Sequence, residues 1–188
     1  MSKPTQQSLR RRQSELAMAN NQLEKLSNGI FSNGELPTFA EKINQSDQFP
    51  LRPTKIEILQ INVGYMCNQV CEHCHVDAGP DRKEIMTKET MNQCLEVIRN
   101  TKAHTLDLTG GAPEMNPNFR WFVEEARKAG AKEIIVRSNL TILRANKKYY
   151  DLPEFFKEHN IHVISSMPHW TRGKTDKQRG EGVFDQSI

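Results

Sequence analysis

Apolar positions fall into a regular rhythm only after residue 55. Ile56, Ile58, Ile61 and Val63 punctuate residues 56–65 at the short spacing of a β-strand. Met91, Cys94, Leu95 and Ile98 then mark one face of a helix over residues 87–100. A second strand is predicted at residues 105–109. Asn116 with Pro117 supplies a cap and first-turn pair for a helix that runs to Gly130 and turns Phe119, Phe122, Val123 and Ala126 inward. Residues 134–138 read as the third strand and residues 162–167 as the fourth. Between them Asp151-x-x-Glu154 has the form of a capping box for a short helix ending near Asn160. Upstream, Leu9, Leu16, Ala19, Leu23 and Leu26 recur at roughly heptad spacing up to a helix stop at Asn28-Gly29. That stretch is too short for a coiled coil, which needs about three or four heptads. Residues 30–54 carry Gly34, Pro37, Pro50 and Pro53 and predict an irregular connector with one short helix near residues 38–43.

Strands alternating with helices at this spacing imply parallel pairing through crossover helices, hence an α/β fold. Residues 1–54 are read as an N-terminal helical extension and residues 55–188 as the core. In parallel α/β folds chemistry sits beyond the carboxyl ends of the strands. Four loops meet that rim: residues 67–75 after the first strand, Gly110-Gly111-Ala112-Pro113-Glu114 after the second, Ser138-Asn139 at the third, and Pro168-His169-Trp170 after the fourth. The chain ends at residues 183–188, where the next helix should begin. That leaves the fourth strand an open edge, which predicts self-association into a homo-oligomer.

Composition narrows the classes. With 188 residues, 36% of them apolar, the chain can bury one core. The net charge of +3 traces to Lys3 and to Arg10, Arg11 and Arg12, which read as a solvated helix face. No basic stripe interleaved with aromatics marks a nucleic-acid surface. No run approaches the roughly 20 apolar residues of a membrane span. Three of the four cysteines lie within eight residues, unlike a disulfide framework, so a reducing, cytoplasmic setting is expected.

Those three cysteines, Cys67-x-x-x-Cys71-x-x-Cys74, carry the chemistry. A zinc site needs four ligands and an iron–sulfur cubane is ordinarily held by four thiolates. A loop offering three leaves one corner open to a small molecule. A Cys₃His zinc module using His73, His75 or a distant fourth ligand accounts for the cysteines as well, but not for Gly110-Gly111 or Asn139. With the Gly-Gly turn at the end of the next strand, the cysteine spacing resembles the radical S-adenosylmethionine enzymes. Residues 62–71, 74–80 and 106–117 are similar to the branch named for arsenosugar biosynthesis, a resemblance that covers residues 37–188.

The resemblance implies a partial (β/α) barrel of the TIM-like kind with about four parallel strands. It implies a [4Fe–4S] cluster on Cys67, Cys71 and Cys74 whose fourth iron chelates S-adenosylmethionine, cleaved reductively to a 5′-deoxyadenosyl radical. It implies cofactor contacts from Gly110, Gly111, Ser138, Asn139 and His73, and a flavodoxin- or ferredoxin-type electron donor or reductase. Capture of the radical by a small-molecule substrate, a methylated arsenic compound, follows from the arsenosugar branch, where cysteines often stand at the positions of Ser138 and His169. A catalytically incomplete fragment of such an enzyme is the competing expectation.

The remaining residues have plainer readings. Cys94 is expected in the core, and His104 and His162 at the surface. His75 should order the loop, and His169 and Trp170 should form a substrate wall. Asp77 and Glu114 read as exposed turn residues as readily as functional ones. Asp107, mid-strand, requires a polar partner, since an unpaired buried carboxylate is costly.

Overall fold

A computed structural model describes residues 8–28, 39–46, 48–72 and 74–188. The core is a four-stranded, all-parallel sheet in the order β1-β2-β3-β4, formed by β1 (Ile58–Asn62), β2 (Thr105–Thr109), β3 (Glu133–Ser138) and β4 (His162–Ser165). The α/β expectation and the count of strands hold. Register places Gln60 beside Asp107 and Ile135, and Ile61 beside Leu108 and Val136. Strand side chains alternate in direction, so the two faces differ. Leu106, Leu108, Ile134 and Val136, all 0% exposed, face the helices. Gln60, Asn62, Thr109 and Arg137 face an open trough.

Three helices cover the apolar face. α3 (Lys88–Thr101) starts at Thr87, whose side chain accepts from the Thr90 amide, and stops at Lys102 in a left-handed conformation. It buries Met91, Leu95 and Ile98, with Cys94 half-buried against the same core. α4 (Phe119–Ala129) buries the four predicted residues and ends at Gly130, φ 112°. α6 (Leu152–Glu158) adds Phe155 and Phe156, whose rings pack on Phe119 at 6.1 and 6.5 Å.

Several boundaries depart from the sequence reading. Asn116 does not cap α4. Its Nδ2 donates to the carbonyls of Val63 (2.9 Å) and Met86 (3.0 Å), tying the end of β1 to the approach of α3. Its Oδ1 accepts from the Asn118 amide, and Pro113–Met115 forms a 3₁₀ turn ahead of the helix. The capping box at Asp151 does not form either, because that carboxylate is paired with Arg120 at 2.7 Å. The heptad-like stretch is not one helix. Gln13, at φ 57°, breaks it, leaving a 3₁₀ turn at Glu15–Ala17 and a helix α1 (Ala19–Asn28) on which Leu23 is 60% exposed. α2 (Phe39–Asn44) matches the short helix of the connector. The expected stop at Gly29 lies outside the described residues.

After β3 come a short helix α5 (Ile142–Ala145) and a 3₁₀ turn Lys147–Tyr149. β4 ends at Ser165 rather than 167, and two helices follow, α7 (Arg172–Arg179) and α8 (Val183–Ser187). α7 is invisible to hydrophobic periodicity because its buried residues are Thr175 and Arg179. No helix among the described residues is long and apolar enough to cross a membrane.

Candidate functional site

The carboxyl ends of the strands open onto a cavity of about 890 Å³ lined by Cys67, Cys71, Cys74, His75, Gly110, Gly111, Ser138 and Asn139, with Arg179 closing it from α7. Backbone bonding seats the cysteine loop here. Met66 and Gly64 accept from the amides of Ala112 (2.9 Å) and Gly111 (2.8 Å), and Gly79 accepts from Cys67 (3.2 Å). The two glycines permit this approach. A Cβ on Gly111 would lie 2.3 Å from the Met66 carbonyl oxygen, and one on Gly110, at φ +137°, would lie 2.5 Å from that of Gly64. Their smallness lets one loop lie against the other as well as bordering the cavity.

Asn139 ties the third strand end to the same loop. Its Nδ2 donates to Asn68 Oδ1 (2.8 Å) and to Cys67 Sγ (3.5 Å), while its Oδ1 accepts from Thr141 Oγ1 and the Ile142 amide, both at 3.0 Å. Asn68 and Gln69 in turn donate to Thr141 Oγ1 at 2.8 and 2.9 Å. Cys74 Sγ accepts from the Ala78 amide at 3.2 Å. Burial pushes the Cys67 thiol up to about 11, against the opposing hydrogen bonds from Gln69 and Asn139. Burial also raises Cys71, opposed by the nearby positive charge of Arg179. Both rises favour the neutral thiol at Cys67 and Cys71, which an electropositive metal would draw into the thiolate form.

All three thiols are free and share the cavity, yet among the described residues no three His, Cys, Asp or Glu side chains converge where a single ion could be held. A cubane asks for something different, since each thiolate binds its own iron corner.

The other expected residues fall in different places. Ser138 borders the cavity but is 3% exposed, and its Oγ accepts from the Leu140 amide at 3.4 Å. His169 and Trp170 stack at 5.4 Å but do not line the cavity; the His169 Nδ1 accepts from the Thr171 amide, and Trp170 is 83% exposed. His73 lies outside the described residues. Glu114 is not an exposed turn residue: it is 6% exposed, and neither carboxylate oxygen has a hydrogen-bond partner. Burial raises its pKa, opposed in part by the Ser138 hydroxyl and by the Glu114 backbone amide. Asp107 has the partner it required. Arg137 donates to it at 2.7–3.1 Å and Gln60 at 2.7 Å, and these bonds outweigh burial to hold its carboxyl below the usual value.

Arg179 escaped the sequence reading. It is 6% exposed, its Nη2 donates to Ser166 Oγ at 2.7 Å, and its Nε is buried without a partner. No carboxylate among the described residues is paired with it. The carbonyl of its neighbour Gln178 accepts from the Glu72 amide at 2.9 Å, which locks α7 to the cysteine loop.

A family model described as a 4Fe-4S single cluster domain matches residues 63–188. Over 134 residues the chain is 25% identical to a protein named probable GTP 3′,8-cyclase from Saccharolobus islandicus, covering 71% of this chain and 42% of the relative. A 90-residue match to the protein of that name from Sulfolobus acidocaldarius is 22% identical, covering 48% of this chain and 29% of the relative. The chain thus spans less than half the length of these relatives. Among solved structures, Streptococcus suis SuiB bound to S-adenosylmethionine superposes with a TM-score of 0.58 at 10% identity, over 89% of this chain and 40% of that one. Native anSMEcpe with bound AdoMet gives 0.53 at 18% identity, over 69% and 38%. Both share the fold of the strand-and-helix core.

Proposed function

Because the chain belongs to the family of 4Fe-4S single cluster domains, within the radical S-adenosylmethionine superfamily, we propose that Cys67, Cys71 and Cys74 hold three irons of a [4Fe–4S] cluster and leave the fourth to S-adenosylmethionine. The observation that carries this reading is three thiols in one cavity with no fourth cysteine among its lining residues, beside a buried guanidinium whose Nε has no partner among the described residues. When bound, the pair supplies reductive cleavage of the sulfonium to a 5′-deoxyadenosyl radical, a step that belongs to the cofactors.

The protein's part is to bind, orient and shield. Arg179 offers its charge to the cofactor's carboxylate, the anion its burial calls for. The edge formed by Gly110 and Gly111 leaves room for the methionine end. Asn139 positions the Cys67 sulfur, and His73 is the candidate for the adenine side. Ser138 closes the wall between cavity and helices. Gln60, Asn62 and the Arg137–Asp107 pair line the trough where a substrate would meet the radical. The arsenosugar likeness of residues 62–71, 74–80 and 106–117 supports a methylated arsenic substrate, and soft arsenic shares the chemistry that pairs soft metals with sulfur. A small flavodoxin or ferredoxin is the expected electron donor.

Anaerobic reconstitution should give about four irons and four sulfides per chain with broad visible absorbance. Adding S-adenosylmethionine and a strong reductant should then release 5′-deoxyadenosine. Colourless protein holding one zinc would overturn the reading. A full cluster without 5′-deoxyadenosine would instead mark a catalytically incomplete unit. Separate arms with methylated arsenite and with GTP test the substrate, and an adenosyl–arsenic product in the first arm is the expected result.

A further inference from the structure

Residues 8–13 precede the matched family region, 63–188, yet they are tied closely to the exit of the cysteine loop. Ser8 is 0% exposed; its hydroxyl donates to Asp81 Oδ2 at 2.8 Å and accepts from the Arg11 amide at 3.3 Å. The amides of Leu9 and Arg10 both donate to the carboxylate of Asp77, the second at 2.9 Å. Arg10 pairs with Glu84 at 2.6 Å, and Glu84 pairs with Arg82 at 3.0 Å. Arg82, 8% exposed and lying 4.7 Å over the Tyr65 ring, returns to Asp77 through its carbonyl (2.6 Å) and its carboxylate (3.2 Å). Hydrogen bonds from Arg82 hold the Glu84 carboxyl down at about 2.

The circuit closes on one residue in a strained conformation. Asp77 sits at φ 51°, the left-handed region that residues with a Cβ occupy only at a cost, Asn and Asp most readily. Left-handed backbone at residue 77 turns the next amide, that of Ala78, back onto Cys74 Sγ at 3.2 Å. The Asp77 amide also donates to the Cys74 carbonyl at 3.3 Å. The sulfur of the third cysteine is thus held from the loop's exit, whereas Cys67 is held by Gln69 and Asn139.

We propose that residues 8–13 are a strap that fixes Asp77 and, through it, the amide on the Cys74 sulfur, so that strap docking and cluster retention reinforce each other. Asp77 is a positioning residue in this scheme, and Ser8 and Arg10 are the parts of the strap that reach it and its neighbours. The inference rests on the reading of Cys74 as a cluster ligand and adds to it a segment outside the family domain. Coupling between two sites is reciprocal. If the strap slows loss of the cluster, the cluster must slow release of the strap.

The test uses the full chain, reconstituted anaerobically, with two readouts that do not depend on turnover. In wild type, tryptic cleavage after Arg10, Arg11 and Arg12 should be at least about fivefold slower with the cluster than without it. Asp77→Asn keeps a side chain that tolerates left-handed backbone but removes the charge that captures the strap. It should lose visible absorbance to an iron chelator at least about fivefold faster than wild type and should erase the difference in cleavage. The double variant Ser8→Ala with Arg10→Ala, which leaves residues 55–188 untouched, should do the same if Asp77→Asn fails to fold. Equal cleavage of loaded and unloaded wild type, or variants that hold the cluster as long as wild type, would overturn the strap while leaving the proposed function standing. Wild type that takes up no iron would overturn the proposed function, and the strap with it.

Discussion

Glu114 places a carboxylic acid where the fold offers it nothing ionic. Its folded pKa is raised by burial, so the stability it allows is fully present below its unfolded value near 4.5 and is lost as pH rises through the folded value. Glu114→Gln keeps the shape without the proton. The variant should therefore melt higher than wild type at pH 8, by about 2–4 °C for each kcal/mol recovered in a chain of this size, and the difference should shrink at pH 5. Calorimetry at the two pH values checks both sign and trend. Arg179 is the opposite case, a buried cation aimed into the cavity. Arg179→Ala should weaken S-adenosylmethionine binding to the reconstituted protein roughly tenfold to a hundredfold, the worth of a charge-assisted hydrogen bond. Equilibrium dialysis with labelled cofactor measures it, and unchanged affinity would remove Arg179 from the cofactor's carboxylate. Neither residue was legible in the sequence for what it is. Glu114 follows a Gly-Gly turn and looks solvated, while Arg179 belongs to a run of lysines, arginines and glutamines with no apolar stripe to orient it.

At the level of elements, the loops after β1 and β2 work as one part. Gly111→Ala would drive a methyl group into the Met66 carbonyl, a rigid backbone atom, and must displace the cysteine loop. We expect destabilisation by about 1–3 kcal/mol, as for overpacking at a tight contact, together with less than full iron occupancy after reconstitution; urea unfolding and iron analysis report the two effects separately. Sequence periodicity found α3, α4 and all four strands because each repeats one apolar face over several residues. It misplaced the start of α4 because Asn116 spends its side chain on Val63 and Met86, 53 and 30 positions away; α6 starts beside Asp151 as expected, but the capping bond is missing because that carboxylate pairs with Arg120, 31 positions away. Capping motifs describe what a side chain can do locally and are silent about distant competitors. The tie between residues 8–13 and residues 77–84 spans about seventy positions and leaves no periodic trace for the same reason.

Among the described residues β1 and β4 are the outer strands of the sheet. Ile58 is 58% exposed at one edge and Ile164 37% at the other. Exposed strand edges favour pairing with another chain, so self-association is expected in solution, and Ile164→Lys should shift the population toward monomer. Light scattering that finds wild type already a clean monomer with cooperative melting would count against this. The strand order and the rim of cysteine and glycine loops were readable from sequence because successive strands paired with their neighbours. The lock between α7 and the cysteine loop was not readable, since it joins backbone atoms whose side chains carry no signal.

Parallel sheets are usually enclosed on both faces and spelled in unbroken apolar runs; β2 is spelled in alternation. In β2, Leu106 and Leu108 are written for the helices, Asp107 and Thr109 for the trough. A slip of one residue would exchange the two scripts, so the pattern that fixes register also keeps selectivity and foldability on separate letters. Gln60, Asn62, Thr109 and Arg137 can be rewritten for a new substrate while the leucines, isoleucines and valines between them go on specifying the same scaffold.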